Sequence, residues 1–366
     1  MTIHTFEASS PLSNKDYYDI QNIMENHSNN WTFEDNNFSF WGLCDSGINI
    51  KLNKINKKNY NGYAINYIIS ARRVIENNNY VGLFNCKDYD KLIKRINKIL
   101  SNLSELLPKI DKCTVSRYDF CVNIEMENQE QVKTYLKILK RGNIPNGYKL
   151  HTYYDMKSKR TKPSKDDFTI TSRDNVEISI YNKYKQMKKE KKEYPDIMDA
   201  KNILRIEIRC FNDKLKYYKK KYDIKNISEL MKYSDKIGRY LYKYYLGKMF
   251  GTGDFYTLDE ASKRIEANEF KSDNKEIMTE LVKDVSELRS LEKALHSIHI
   301  PHSKRNSEDL PKINKKYIRD TYKKILYMFD LIDTSPITFP REDKKIFGGK
   351  KVLNPLNLFY EYLENL

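Results

Sequence analysis

Carboxylates, arginines, a lysine and a tyrosine recur at alternate positions in three short segments of the chain. They are Arg117 and Asp119 in residues 115–124, Glu177, Tyr181 and Lys183 in residues 176–183, and Arg205, Glu207 and Arg209 in residues 202–210. Two carboxylates can hold a hard divalent cation through oxygen, and such a cation polarises phosphoryl oxygens. A tyrosine hydroxyl can act as a covalent nucleophile, while neighbouring cations neutralise a phosphate. These residue types therefore suit phosphodiester chemistry.

The elements that must position these side chains are β-strands. Apolar residues occupy the positions between them, as with Ile178 and Ile180 or Leu204 and Ile206, and this period of two is typical of a strand with one buried face. If the three strands share a sheet, their ionisable side chains meet on one face. The alternative is an ordinary solvated face, because antiparallel sheets commonly leave one face wet and carry cross-strand Arg–Glu pairs there.

The remaining sequence indicates an α+β protein with helices flanking a central, mainly antiparallel sheet of about five strands. Residues 1–35 are polar and rich in Asn, which favours a loosely folded arm or an edge element, and residues 38–52 predict a hairpin. After Phe211 the periodicity becomes helical. We therefore expect an N-terminal arm and hairpin over residues 1–60, an α+β catalytic domain over 61–225 and a helical C-terminal region over 226–366.

The chain is strongly basic, with 66 Lys and Arg against 50 Asp and Glu in 366 residues, a net charge of +16. Such an excess attracts polyanions such as DNA, although many Lys- and Asn-rich proteins bind no nucleic acid. Lys185 and Lys188, in a cationic run over residues 183–192, are candidates for DNA contacts. Tyr218 is another: in its lysine-rich helix, tyrosines could stack on single-stranded bases or line a core face beneath the lysine side chains.

Several classes of protein are disfavoured. No stretch approaches the roughly 18 apolar residues of a membrane helix, and the first residues do not have the pattern of a secretion signal. The five cysteines are scattered without a Cys-x-x-Cys pair, so neither a disulfide framework nor a zinc knuckle is indicated. A phosphate-binding loop of the GxxxxGK(S/T) type does not occur, which disfavours an ATP-driven helicase. We expect a cytoplasmic protein without a membrane partner.

The three strand segments resemble parts of the gene II type of replication initiator from filamentous phages and related plasmid proteins. Residues 114–119 are similar to that family's S-R-x-D strand, residues 178–183 to its Tyr-x-Lys segment, and residues 202–209 to its R-x-E strand. Their order and spacing also agree, and the similarity extends approximately over residues 60–270. The resemblance implies a rolling-circle nuclease-like fold.

It also implies an activity, which is site-specific nicking of DNA to start rolling-circle replication. Tyr181 would attack a backbone phosphate and give a 5′-phosphotyrosine with a free 3′-OH, and Lys183 would support this nucleophile. Asp119 and Glu207 would bind the metal, Mg²⁺ or Mn²⁺. Phosphates would be bound by three arginines, Arg117, Arg205 and Arg209. Expected partners are origin DNA, single-stranded or supercoiled, and a host helicase and polymerase.

The sequence departs from many rolling-circle nucleases in one respect, because it has no His-hydrophobic-His metal motif. The nearest cluster is His296, His299 and His302, whose spacing is more typical of a helix end than of a metal site with its usual fourth ligand. The metal hypothesis therefore depends on the carboxylates. Three other functions stay open: a relaxase for conjugative transfer, a non-catalytic DNA-binding protein, and a basic structural protein without a role on DNA.

Overall fold

The computed structural model describes residues 1–34, 37–57, 60–155, 160–163, 167–172, 175–190, 192–297 and 315–366. As predicted, the fold is α+β, with helices flanking a large antiparallel sheet. The strands are β1 (Thr2–Leu12), β2 (Trp31–Glu34), β3 (Asn37–Phe40), β4 (Ile48–Lys57), β5 (Tyr60–Ser70), β6 (Phe84–Asn85), β7 (Thr114–Glu125), β8 (Tyr148–Leu150), β9 (Thr152–Asp155), β10 (Arg160–Pro163), β11 (Asp167–Ser172), β12 (Val176–Asn182), β13 (Ile203–Phe211), β14 (Asp254–Thr257) and β15 (Thr334–Phe339).

Helices occupy much of the chain between these strands and most of its last third. They are α1 (Asn14–His27), α2 (Ala71–Ile75), α3 (Tyr89–Leu103), α4 (Gln129–Leu139), α5 (Lys183–Lys189), α6 (Asn212–Tyr222), α7 (Ile227–Phe250), α8 (Leu258–Glu266), α9 (Ser272–Leu288), α10 (Leu291–Ser297), α11 (Lys315–Leu331) and α12 (Pro355–Glu364). His299 and His302 lie outside the described residues. Within the described part of the chain, no helix is long and apolar enough to cross a membrane.

The main sheet has eleven strands in the order β2-β3-β4-β5-β1-β7-β13-β12-β11-β8, with β6 beside β1. The three strands predicted to carry the chemistry, β7, β13 and β12, are antiparallel neighbours in it. Arg209 on β13 lies opposite Asp119 on one side and Glu177 on the other, and Tyr181 lies opposite Arg205. Because directly opposed residues share a face, the ionisable side chains meet on one face of the sheet.

The expectations of about five strands and of a loosely folded arm over residues 1–35 are wrong. β1 is a central strand that pairs with both β5 and β7, so the sheet crosses the boundary expected at residue 60. A register shift in the β1–β7 pairing between Ile3 and Phe6 marks a bulge, and both side chains are fully buried although they are three positions apart. The extra residue of a bulge breaks the period of two, which hid this strand in the sequence.

The apolar face of the sheet packs against α7. The Tyr242 hydroxyl donates to the carbonyl oxygen of Ile206 at 2.8 Å, and the hydroxyls of Tyr118 and Ser234 share a hydrogen bond of 2.7 Å. Tyr118 belongs to the set of β7 positions opposite to Asp119, so α7 and the ionisable side chains lie on different sides of the sheet.

The region after residue 226 is mainly helical, as predicted, but it also contains the parallel pair β14 and β15. A side chain at Gly253 would collide with the backbone of Thr334, so the close approach of these two segments requires glycine. The helical stretch after residue 272 is divided into α9 and α10, because Arg289 has a left-handed backbone with φ of 50°.

Candidate active site

The ionisable faces of β12 and β13 border a cleft of about 450 Å³, and the ionisable face of the neighbouring strand β7 lies beside it. Tyr181, Lys183, Glu207 and Arg209 line this cleft together with His4 from β1. Asp119 is fully buried in the sheet beside them. The structure thus brings together six residues predicted for the chemistry: Arg117, Asp119, Tyr181, Lys183, Glu207 and Arg209.

Tyr181 is held by one of the two predicted metal-binding carboxylates. Its hydroxyl donates a hydrogen bond of 2.6 Å to Oε1 of Glu207. Burial and the neighbouring charge of Glu207 raise the pKa of Tyr181 well above its usual value. The phenol is therefore protonated near neutral pH, and its proton already points towards a carboxylate.

Glu207 is fully buried among positively charged groups. Its Oε2 accepts a hydrogen bond of 2.7 Å from Nη2 of Arg209, and its Oε1 lies 3.8 Å from Nδ1 of His4. Burial acts to raise the pKa of Glu207, but the charges of Arg209 and Arg205 and the hydrogen bond from Tyr181 outweigh burial and hold the pKa well below its usual value. Glu207 is thus ionised at neutral pH.

Asp119 is bound by two nitrogens of the Arg117 guanidinium group. Nε and Nη2 of Arg117 donate to its two oxygens at 2.8 and 2.6 Å, which is the strong bidentate geometry of an arginine–carboxylate pair. Burial nevertheless raises the pKa of Asp119 to about 6, against the opposing effect of Arg117. This carboxylate is therefore closer to protonation than Glu207.

The sequence did not predict His4 as a site residue, because a bulge interrupts the alternation of its strand. Nδ1 of His4 and one carboxylate oxygen each from Asp119 and Glu207 lie within 4.8 Å of one another. Burial, with further effects of Arg205 and Lys183, lowers the pKa of His4 far below its ordinary value, so the imidazole is neutral and has a lone pair available. The sequence signal for this strand was the run of β-branched residues around His4, which comprises Thr2, Ile3 and Thr5.

This donor set is chemically suited to a divalent cation. Two carboxylate oxygens and a neutral imidazole match the preferences of Mn²⁺, whereas Mg²⁺ relies more completely on oxygen. The guanidinium groups of Arg117 and Arg209 already contact the same carboxylates. A bound cation would therefore share these carboxylates with the two arginines.

Lys183 begins α5 at the edge of the cleft and is almost completely buried. Its Nζ donates to Oε1 of Gln186 at 2.9 Å. Burial, assisted by the charge of Arg205, lowers the pKa of Lys183 to about 7. Near neutral pH this amine can therefore either donate or accept a proton, which supports its predicted role beside the tyrosine.

The three arginines expected to bind phosphates differ in exposure. Arg117 and Arg209 keep about a quarter of their side-chain surface exposed, 23% and 28%, but the expected phosphate-binding role of Arg205 is wrong. Arg205 is fully buried and donates to Oδ1 of Asn123 and to the carbonyl oxygen of Val81. Val81 belongs to a small apolar cluster that covers this part of the sheet. Since this cover comes from a segment distant in sequence, the alternation of β13 alone could not predict it.

Of the other predicted DNA contacts, Lys185 and Lys188 lie on α5 next to the cleft, and Lys188 is exposed. The prediction for Tyr218 is wrong. Tyr218 is fully buried on α6, which packs against β7 and β13. The alternative, a tyrosine on the core face of a helix beneath lysine side chains, describes it correctly.

Comparisons with protein-family models, curated proteins and solved structures found no match. The resemblance of three segments to gene II initiators therefore stays a hypothesis. The cleft and the ionisable groups beside it combine a hydroxyl group, two carboxylates, a neutral imidazole, an amine with a pKa near neutrality and two guanidinium groups. Such a set can bind a phosphodiester, transfer a proton and provide an oxygen nucleophile.

Proposed function

We propose that this protein nicks and rejoins a specific DNA strand through a covalent tyrosine intermediate and thereby initiates rolling-circle replication. The observation that carries the proposal is the convergence of the Tyr181 hydroxyl with His4, Asp119 and Glu207. The hydroxyl is hydrogen-bonded to Glu207, which is one of the three potential metal ligands. The basic net charge of +16 favours a polyanionic substrate.

In the proposed step, the Tyr181 oxygen forms a bond to phosphorus while the bond from phosphorus to the 3′ oxygen breaks. The phenolic proton leaves along its hydrogen bond to Glu207 and can pass to Lys183, which has a pKa of about 7. The same proton then passes from Lys183 to the 3′ oxygen, which leaves as a 3′-OH, so that the step neither gains nor loses a proton. Rejoining is the reverse reaction, in which this 3′-OH attacks the phosphotyrosine.

A divalent cation, Mg²⁺ or Mn²⁺, held by His4, Asp119 and Glu207 would supply Lewis-acid polarisation of the phosphoryl oxygens. Arg117 and Arg209 would neutralise charge on the same phosphate. Both guanidinium groups are partly exposed, and Arg209 lines the cleft, so Arg209 can reach an anion bound there.

In this proposal the free 3′-OH primes a host polymerase, and a host helicase separates the strands. The protein would act in the cytoplasm on supercoiled or single-stranded origin DNA. A relaxase for conjugative transfer would use the same chemistry, and it differs in target sequence and partner proteins.

The test is a nicking assay on supercoiled DNA of the genetic element that encodes the chain, with Mg²⁺ or Mn²⁺ present. The wild type is compared with Tyr181→Phe and with the matched control Tyr194→Phe, whose hydroxyl contacts Glu190 beside the same region. Denaturing gels report relaxed circles and protein attached to a 5′ end. We expect an adduct with the wild type and the control and none with Tyr181→Phe, because phenylalanine has no nucleophilic oxygen.

A non-catalytic DNA-binding protein is the second candidate. The observation in its favour is that Asp119 and Glu207 already have guanidinium partners, which is also how a purely structural ion-pair network is built. In that case, the Tyr181→Phe protein and the wild type bind DNA equally and neither forms an adduct. An adduct that survives in Tyr181→Phe would instead assign the nucleophile to another tyrosine.

A further inference from the structure

The outer face of α7 presents tyrosines and lysines at helical spacing. Tyr233, Lys236, Tyr240, Tyr244 and Lys248 follow one another at intervals of three or four residues, which places them on one side of the helix. The tyrosines among them are exposed. Tyr240 and Tyr244 are stacked, with ring centroids 5.8 Å apart and planes 16° apart.

Helix α6 extends this surface. Nζ of Lys221 lies 5.4 to 5.7 Å from the ring centroids of three tyrosines, Tyr217, Tyr222 and Tyr240. Tyr222 in turn stacks on Tyr233, with centroids 5.1 Å apart. These contacts join both helices into one continuous patch, called here the tyrosine–lysine surface, which comprises Tyr217, Lys221, Tyr222, Tyr233, Lys236, Tyr240, Tyr244 and Lys248.

The charge of this surface is positive. Between residues 233 and 248 the only acidic residue is Asp235, and it pairs with Arg239 and with the N-terminal amino group instead of a lysine of the surface. One turn before Tyr233, Glu229 accepts a hydrogen bond from the backbone N–H of Lys225. The acidic residues beside α6, Asp213 and Asp223, pair with lysines outside the surface. The lysines of the surface lie against aromatic rings, so the surface complements a polyanion.

The tyrosine–lysine surface is separate from the cleft that contains Tyr181. Tyr242 and Ser234, on the inner face of α7, contact the apolar side of the sheet, whereas Tyr181 and Asp119 lie on its other side. The surface is thus the outer side of the helical layer behind the cleft, and no residue of the proposed nicking site belongs to it.

We propose that this surface binds single-stranded DNA, with bases stacked on the exposed tyrosines and phosphates against the lysines. Single strands expose base faces that stack on aromatic side chains, and cations along the same track bind the backbone without reading sequence. Duplex DNA offers no free base faces. From residue 233 to residue 248, α7 is roughly 22 Å long, which suits a short site near the lower end of the known range of about 4–16 nucleotides.

The choice of DNA over RNA rests on the proposed function, because nicking and strand displacement release a single DNA strand. This surface would hold that strand away from the nicking cleft. Binding itself does not require the nicking chemistry, so the two proposals can fail separately.

The test is fluorescence anisotropy with labelled dT20 near physiological salt, comparing the wild type with the double variant Tyr240→Ala/Tyr244→Ala. Tyr327→Ala is the matched control, since Tyr327 is exposed on α11 and lies outside the surface. We expect at least tenfold weaker dT20 binding for the double variant and no change for the control. Tyr240→Phe/Tyr244→Phe keeps both rings, so it should bind dT20 nearly as well as the wild type.

Two further arms use U20 and a 20-base-pair duplex. Wild-type affinity for dT20 in the double Ala variant overturns the proposal, as does tighter binding of U20 or of the duplex than of dT20. Circular dichroism of each variant excludes loss of folding as the cause. Nicking is measured on the same proteins. Loss of the covalent adduct in Tyr181→Phe, with dT20 binding retained, concerns the nicking mechanism and not this surface. Weak dT20 binding by a protein that still nicks DNA contradicts the proposal for this surface and not the nicking mechanism.

Discussion

The cleft that contains Tyr181 and the tyrosine–lysine surface both combine tyrosines with lysines, but in opposite surroundings. In the cleft, Tyr181 is hydrogen-bonded to the fully buried carboxylate of Glu207. On α7, Tyr240 is about half exposed, 46%, and its charged neighbour is Lys221. In the cleft, burial and carboxylates hold each ionisable group against particular partners and shift its pKa. On the tyrosine–lysine surface, the tyrosine rings are exposed and have lysines as their charged neighbours, so any of the rings can offer a face to a base.

The two lysines next to the tyrosines show this difference directly. Burial lowers the pKa of Lys183 to about 7. By contrast, the nearby hydroxyls of Tyr217 and Tyr222 raise the pKa of Lys221 above its ordinary value. Lys183 can therefore exchange a proton near neutral pH, whereas Lys221 stays charged. The first lysine is suited to chemistry, and the second to holding a phosphate.

The largest expected effect is on stability and comes from Glu207→Gln. This change keeps the size of the side chain but leaves Arg205 and Arg209 without their shared carboxylate, and Arg205 is fully buried. Removing one partner of a buried pair typically costs about 3–5 kcal/mol. We expect a loss of that order in the free energy of unfolding, measured by denaturant titration.

The matched control is Glu177→Gln, which removes another carboxylate partner of Arg209 at a partly exposed position, 21%. Solvent screens this pair, so the expected loss is below about 1 kcal/mol. Equal losses in the two variants would contradict the view that the cleft is a buried network with unequal members.

The next effect is a pH dependence that belongs to Lys183. Its pKa is lowered from 10.5 to about 7 in the folded protein, so between these values the unfolded chain binds a proton that the folded chain does not. Unfolding free energy then rises with pH, by at most about 1.4 kcal/mol per unit, and Lys183→Met lacks this contribution. Below pH 7 Lys183→Met is therefore the more stable protein.

The measurement is the difference in unfolding free energy between wild type and Lys183→Met from pH 6 to pH 10. Other titrating groups act in both proteins and cancel in this difference. Lys221→Met provides the comparison from the exposed surface, because the pKa of Lys221 is not lowered. A difference for Lys183→Met that stays constant with pH would show that its amine is no more perturbed than an ordinary surface lysine.

A smaller effect concerns metal binding. His4→Ala removes one of three donors but leaves both carboxylates, so we expect Mn²⁺ affinity to fall at least tenfold, or about 1.4 kcal/mol. Titration of the protein followed by electron paramagnetic resonance of free Mn²⁺ measures this. His151→Ala, which alters another histidine at the cleft, is the control. Unchanged Mn²⁺ binding in His4→Ala would remove the imidazole from the donor set.

The sequence predicted the residues on β7, β12 and β13 better than the residue that β1 contributes to the site. Alternation along β7, β12 and β13 was enough to place Tyr181, Asp119 and Glu207 on one face, because a period of two fixes the face of every residue in a regular strand. His4 was not predictable in the same way, because the bulge in β1 changes which positions share a face.

Residues whose surroundings come from distant segments were also mispredicted. Arg205 has the same alternation as Glu207, and only the segment around Val81 makes it inaccessible. Tyr218 and Tyr217 are consecutive on α6, yet the first is fully buried and the second is half exposed, 51%. A helix with tyrosines on both sides does not reveal from its sequence which side meets the sheet, since the hydrophobic contrast between the sides is weak.

The smallest expected effect is the salt dependence of Lys221→Gln, which tests whether the exposed surface behaves as a set of separable contacts. Replacing one phosphate-binding lysine should lower the slope of log affinity against log salt concentration for dT20 by about 0.7, with folding unchanged. Lys216→Gln, an exposed lysine on α6 that pairs with Asp213, should leave the slope unaltered. An unchanged slope in Lys221→Gln would remove this lysine from the contacts that bind phosphates.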